Sequence, residues 1–280
     1  MNYAPANSVR RAQWILRAAT GLALVAAAVA RAANWESSVT AGPAGPFPPP
    51  RPLVATYRFG WSGITAASGE VHFTRKGPNR FGLEGTGHTT GFVRALWKMD
   101  VTHRAVADAV RLRPIEMEQT ENFRSKMFVT KLTFSPTGVT RVRAETKSGV
   151  AAPATTKQFN FPNLFDLHSA MLYIRSQTLR DHSVQRVVVF PATSAYLATI
   201  TVTGREKVSV AAGSFNAIKC DLQLSRIGKK GDLQPHKKFR RGTIWISDDN
   251  DRLVLRIEAQ IFVGTVFGEL QSVRFEGASR

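Results

Sequence analysis

The sequence predicts a mainly β protein: a single large curled antiparallel sheet forming an incomplete barrel, with one amphipathic helix. Three observations predict it. From Leu53 to Phe275 apolar and polar side chains alternate almost without interruption, Gly/Pro/Asn/Asp turns punctuate the alternation, and one stretch after Asp166 changes to the helical period. A domain of this β-rich type reaches such a length without splitting.

The elements follow in chain order. Arg10 and Arg11, the apolar Leu22-Ala23-Leu24-Val25 core and the Ala30-Arg31-Ala32 triplet predict a secretory signal peptide over residues 1–32, cut after Ala32. The competing reading is an uncleaved N-terminal anchor, although Arg17 and Arg31 leave fewer uncharged residues between them than a membrane span of about 20 requires. Residues 33–52 carry Pro46, Pro48, Pro49, Pro50 and Pro52, which lack backbone donors and predict a disordered or extended spacer. The β domain then covers residues 53–275. Its first strand sets Tyr57, Phe59 and Trp61 on one face against Thr56 and Arg58 on the other, and later strands repeat the pattern through Phe128 to Phe134 and Leu253 to Ile261. Turns are expected at Lys76-Gly77-Pro78-Asn79, Ser135-Pro136-Thr137-Gly138, Ala211-Ala212-Gly213-Ser214 and Asp248-Asp249-Asn250-Asp251. A phase slip between Val110/Leu112 and Ile115/Met117 predicts a bulge beside Pro114. Asp166 is placed to cap a helix whose apolar stripe is Leu167, Ala170, Met171 and Ile174, and that stripe must cover apolar sheet face.

Charge and cysteine usage narrow the partners. Removing residues 1–32 takes away four arginines and no acid, so the net charge falls from +18 to +14. In an exported, periplasmic setting that field is expected to meet lipopolysaccharide-like anionic amphiphiles, anionic phospholipid heads through a peripheral membrane contact, or acidic cell-wall polymers rather than nucleic acid; another envelope protein is a further expected partner, and a merely solvated basic face is the plain alternative. The single cysteine, Cys220, excludes an internal disulfide framework and reads as a small buried hydrophobe.

Searching for chemistry yields little. His72, His88, His103, His168, His182 and His236 show no metal-ligand spacing, so neither a metal nor a cofactor is expected. The Gly/Thr-rich stretch Gly85–Gly91 lacks the Lys-Ser/Thr ending of a phosphate loop and reads as a strand-terminating turn. Gly213-Ser214 sits between strands and is no nucleophile elbow. Asp248, Asp249 and Asp251 suit a turn better than a calcium ion, and Glu116, Glu118 and Glu121 suit cross-strand pairs. No catalytic residue is assigned, and the chain is read as a non-enzyme. The sharper signal is basic: Lys229, Lys230, Lys237, Lys238, Arg240 and Arg241 lie in a loop with Gly228, Gly231 and Pro235, a candidate anion-contacting finger or a solvated hairpin tip.

The chain resembles a bacterial family catalogued as domain of unknown function 3108, over roughly residues 53–271. The resemblance is carried by Tyr57-Arg58-Phe59-Gly60-Trp61-Ser62-Gly63-Ile64, by Asp166 to Arg175, by Gly204 to Val208 with Ala212 to Ala217, and by Ile244 to Asp249 with Leu253–Ile257 and Phe262 to Val266, ending at Glu269-Leu270. It implies an exported curled sheet, more distantly similar in fold to envelope lipoprotein carriers and receptors that hold acyl chains on a concave face. The later glycine in Ile64–Gly69 and the long basic insertion depart from the pattern at an edge or rim.

The expected function is non-enzymatic binding of an amphiphilic or acyl-chain ligand on the concave face. Tyr57, Phe59, Trp61, Phe128, Phe134, Leu167, Met171, Ile200, Phe215, Ile257 and Phe267 are the candidate cavity or core residues. The alternative is a structural or assembly module contacting another envelope protein, with a hydrolase of unassigned site as the third reading. A filled core and an open cavity both satisfy the composition.

Overall fold

The computed structural model describes residues 35–40, 42–262 and 264–277. The expected signal peptide lies outside the described residues. Sixteen strands form one antiparallel sheet: β1 Leu53–Trp61, β2 Ile64–Arg75, β3 Arg80–Thr89, β4 Met99–Asp108, β5 Pro114–Phe123, β6 Lys126–Ser135, β7 Gly138–Lys147, β8 Val150–Ala151, β9 Thr155–Asn160, β10 Val184–Val189, β11 Tyr196–Val210, β12 Gly213–Ile227, β13 Leu233–Pro235, β14 Phe239–Ser247, β15 Val254–Ile261 and β16 Gly264–Phe275. Two α-helices interrupt them, α1 Gly91–Leu96 and α2 Leu167–Ser176. The sequence predicts only the second; α1 is too short for a helical period to show.

The strand order is β10-β11-β12-β14-β15-β16-β1-β2-β3-β4-β5-β6-β7-β8, with β13 on β12 and β9 on β7. Sequence neighbours are therefore mostly sheet neighbours, and the first strand joins the last through a register running from Leu53 opposite Phe275 to Trp61 opposite Val266. All four expected turns connect strands, at 76–79, 136–137, 211–212 and 248–253. The phase slip is a bulge in β5: Val106 faces Glu116 and Ala107 faces Pro114, which leaves Ile115 as the extra residue.

Three groups of buried side chains make the core. One packs Phe165, Tyr173 and Ile174 of the α2 region on Val187, Ile200, Ile218 and Ile246. A second joins Leu53, Phe73, Phe81, Leu172, Leu255 and Leu270, and a third gathers Met117 and Leu132 with Leu164, Val188, Leu197 and Ile227. That third group unites strands remote in the order, and a parallel bridge between Phe165 and Val189 sits between them.

Helix α2 begins where expected. The Asp166 carboxylate accepts from the Ser169 N–H, and the Ser169 hydroxyl closes the reciprocal bond to the Asp166 N–H. Its expected apolar stripe is corrected: Leu167 is exposed and Met171 half-buried, while His168, Leu172, Tyr173 and Arg175 are buried. The cause is a second cover. Residues 42–51 of the expected spacer run across the helix: the Tyr173 hydroxyl donates to the Gly42 carbonyl, the Phe47 N–H donates to the Ser176 carbonyl and Arg175 reaches the Pro48 carbonyl. Arg51 completes the strap with a bidentate pair to Asp251, and the Arg252 guanidinium lies 3.3 Å from the Phe47 ring centroid.

Candidate functional site

Strand β1 carries the face on which the candidate site is built. Tyr57 is half-buried, packed against the core group of Leu270 and Leu255, and its hydroxyl donates to the Val254 carbonyl at 3.0 Å. Burial pushes the Tyr57 phenol well above its ordinary value, so it stays a neutral donor. Two residues further on, the Phe59 ring stacks 6.3 Å from Tyr57 on the same face but is 42% exposed. Period 2 thus carries one aromatic series from packed interior to open surface within a single strand.

Glycine shapes the opening. Gly268 stands opposite Phe59 on one side and Ile257 on the other. A Cβ at Gly268 would come within 2.9 Å of the Phe59 ring, so the aromatic lies flat over a bare backbone. Ile257, on the far side of Gly268, is 38% exposed. Phe59, Gly268 and Ile257 thus form a cross-strand apolar row on three adjacent strands, packed at the Tyr57–Leu270 level and exposed towards Trp61.

The remaining candidates divide. Phe128 and Ile200 are buried; Phe128 stacks on Phe123 at 5.3 Å beneath Arg143, and Ile200 belongs to the core against α2. Phe134 and Phe215 are half-buried against the other two core groups. Phe267 pairs with Gly60, one step out of phase with Phe59, and lies near Arg58. Leu167 is exposed on α2, and Met171 is half-buried there. Only Phe59, Trp61 and Ile257 combine exposure with continuity to the Tyr57 face.

The basic loop is folded back rather than projecting free. Its β13 portion pairs with β12, the Trp35 indole donates to the Gly231 carbonyl at 2.8 Å, and His236 accepts from the Lys238 and Phe239 N–H groups. Strand β12 pairs with β14 as far as Leu222 and with β13 from Ser225 onward, and this change of partner leaves a gap. Gln223, Leu224, His236, Phe239, Arg240 and Arg241 line the pocket of about 830 Å³ that results. Arg241 is ion-paired with Asp221, Arg240 is exposed, and Lys229, Lys230, Lys237 and Lys238 are exposed outside the lining.

A second pocket, of about 890 Å³, was not foreseen. Ala44 of the strap, Arg80, Arg111, Arg113, Phe134 and Leu164 are among its walls, and Arg113 lies 4.2 Å from the Phe165 ring centroid. Desolvation lowers the Arg113 pKa. Nothing local in the sequence marks these arginines, which two separate segments, the start of β3 and the β4–β5 connection, bring together. Asp249 fills the expected turn role, accepting from the Ser247 hydroxyl and the Asp251 and Arg252 N–H groups. Glu118 meets Lys131 across the strands at 2.9 Å, and burial raises the Cys220 thiol to about 11. Among the described residues, no group of three His, Cys, Asp or Glu side chains is placed to hold a metal.

The family model DUF3108, a protein family of unknown function, matches residues 56–271. The chain belongs to that family. The DUF3108 match starts just before Tyr57 and ends just after Leu270, so it takes in Phe59, Ile257 and Gly268 on β1, β15 and β16. Among solved structures, a β-barrel-like protein of the DUF1849 family from Brucella abortus is similar at 8% identity, covering 81% of this chain and 99% of its own, with a TM-score of 0.52. A candidate lipoprotein from Parabacteroides distasonis is 10% identical over 83% of this chain and 100% of its own, with a TM-score of 0.32. A candidate exported protein with a YmcC-like fold from Bacteroides fragilis is 12% identical over 82% and 99%, with a TM-score of 0.33. The first likeness concerns the fold alone, and the other two carry no argument. No curated protein matches the chain.

Proposed function

We propose that this DUF3108 protein is an exported, non-enzymatic envelope protein whose sheet curls into an incomplete barrel and binds an amphiphilic or acyl-chain ligand on its concave side. The observation that carries the reading is the pair of exposed apolar side chains Phe59 and Ile257, which flank Gly268 on adjacent strands and continue the packed Tyr57–Leu270 face. The curl is supported by the core group that unites Met117 and Leu132 with Val188 and Leu197, and by the β-barrel-like Brucella protein of similar fold. An extended hydrocarbon gains about 0.8 kcal/mol per methylene removed from water, and a face with one exposed aromatic and one exposed aliphatic side chain offers apolar contact without polar partners. Exposed Lys237, Lys238 and Arg240 supply positive charge for a phosphate or carboxylate head. In this reading the fold is related to the lipoprotein carriers and receptors of the bacterial envelope.

Native mass spectrometry of the protein extracted from an envelope fraction tests the reading, together with titration of a fluorescent fatty acid. A co-purifying amphiphile and saturable binding of the probe, weakened at least tenfold by F59D with I257D, are expected. Absence of any bound lipid together with non-saturable probe binding would overturn it and favour the assembly module.

A further inference from the structure

One end of the sheet carries a continuous series of turns, and printed across it is an alternation of exposed apolar and basic side chains. Hydrogen bonds stitch each turn to the next. The Phe262 N–H donates to the Lys238 carbonyl at 3.1 Å, and the Ser62 N–H to the Thr265 carbonyl at 2.7 Å. The Thr90 N–H donates to the Ala66 carbonyl at 2.9 Å, which brings α1 beside the β1–β2 hairpin. The Arg124 N–H reaches the Lys98 carbonyl at 3.3 Å, and the Ser148 N–H the Ser125 carbonyl at 2.8 Å. The order along the rim is therefore Lys238, Phe262, Trp61, Ile64, α1 with Trp97, Arg124 and then Lys147.

This rim exposes large apolar groups where a water-facing turn needs none. Phe92 is 77% and Phe262 58% exposed, and Leu96, Trp97 and Ile64 are exposed as well. Ion pairs hold Arg94 to Asp100 at 2.8 Å and Lys126 to Glu145 at 3.4 Å. Lys98, Arg124, Lys147, Lys237, Lys238 and Arg240 are not in any ion pair formed among the described residues, so the apolar tips stand within a belt of excess positive charge.

We propose that this rim docks onto an anionic phospholipid bilayer, with Phe92, Leu96, Trp97 and Phe262 entering the headgroup layer and the surrounding lysines and arginines facing lipid phosphates. Two features select a bilayer over a protein partner. Lysine is depleted at protein interfaces, whereas lysine and arginine near an anionic leaflet each add attraction. Tryptophan beside aliphatic and phenylalanine tips matches the aromatic belt found at membrane–water boundaries. The exposed pair Phe59 and Ile257 lies towards the same rim, next to Trp61, so docking would set the proposed ligand face beside the lipid surface. The docking itself does not require that face to hold a ligand, so either proposal can fail without the other.

The test attaches an environment-sensitive fluorophore to the full chain through F92C and, as a control at the other end of the sheet, K207C; the native Cys220 is fully buried. Mixing with phosphatidylglycerol vesicles should blue-shift the residue 92 label and leave the residue 207 label unchanged. Phosphatidylcholine vesicles should give at least tenfold weaker partitioning, and raising the salt should reduce the response. In the F92C background, L96D with W97D should cut partitioning at least tenfold, and K98Q, K147Q, K237Q and K238Q together should remove the preference for anionic lipid. No shift at residue 92, an equal shift at residue 207, or equal partitioning onto both lipids would overturn the proposal. So would cross-linking from residue 92 to a protein in place of lipid.

Discussion

His168 is buried within α2, its Nε2 has no hydrogen-bond partner and its ring lies 5.8 Å from that of Phe73. Burial pushes its pKa down to about 3, with a smaller contribution from His103. The imidazole therefore stays neutral in the folded chain while the unfolded chain takes up a proton below about pH 6.5. Its contribution is present in full above that pH and is lost as pH falls towards 3, by up to about 1.4 kcal/mol per unit. Asp166, whose carboxyl is pushed up by burial against the opposing bonds from Ser169, acts in the opposite sense in acid. Comparing the native chain with H168F cancels Asp166 to first order. Urea midpoints at pH 7 and pH 5 should show H168F losing less stability on acidification; an identical loss in both proteins would remove His168 as the cause.

At the scale of elements, α2 and its strap divide what the sequence reveals from what it hides. Asp166 and Ser169 form the helix-opening pair that their three-residue spacing allows, and D166A should cost roughly 1 kcal/mol of stability, read from the denaturant midpoint. Proline composition favours an extended course for residues 43–52, because it reports on missing donors. It is silent on where that course lies, because docking uses the few donors and acceptors that remain: the Gly45 N–H to the Ser176 hydroxyl at 2.9 Å, the Phe47 N–H, and the carbonyls of Gly42 and Pro48. This is also why the stripe through Leu167 and Met171 misses Tyr173 and Arg175: a helix covered on two sides buries more than one face. Arg175, lowered to about 10 by burial, is held by carbonyls of the strap and of the 248–253 turn. A Cβ at Gly45 would collide with the Ser176 carbonyl. G45A should therefore cost about 1–3 kcal/mol and expose residues 42–52 to faster proteolysis, while an unchanged cleavage rate would mean that the strap does not depend on this contact.

For the whole molecule, alternation made the antiparallel sheet legible because each strand reports its own two faces. Depth along a strand was not legible in the same way. Tyr57, Phe59 and Trp61 share a face, yet the transition from packed to open depends on Leu255, Leu270 and Gly268, which lie some two hundred residues away. The basic loop illustrates the same limit: its composition marks charge, whereas the gap beside it arises where β12 exchanges β14 for β13. These relations make a test in which stability reports a ligand bound on the Phe59 and Ile257 face. A ligand that binds only the folded state stabilises by about 2.7 kcal/mol at a hundred times its Kd. A long-chain fatty acid at that excess should raise the melting temperature of the native chain. F59D should abolish the rise while changing the unliganded melting temperature little, because Phe59 is already half in water. Buried Phe128 supplies the contrast: F128A should lower the unliganded melting temperature and leave the ligand-induced rise intact. A rise that survives F59D, or that F128A removes as completely, would move the binding site away from the open end of the Tyr57 face.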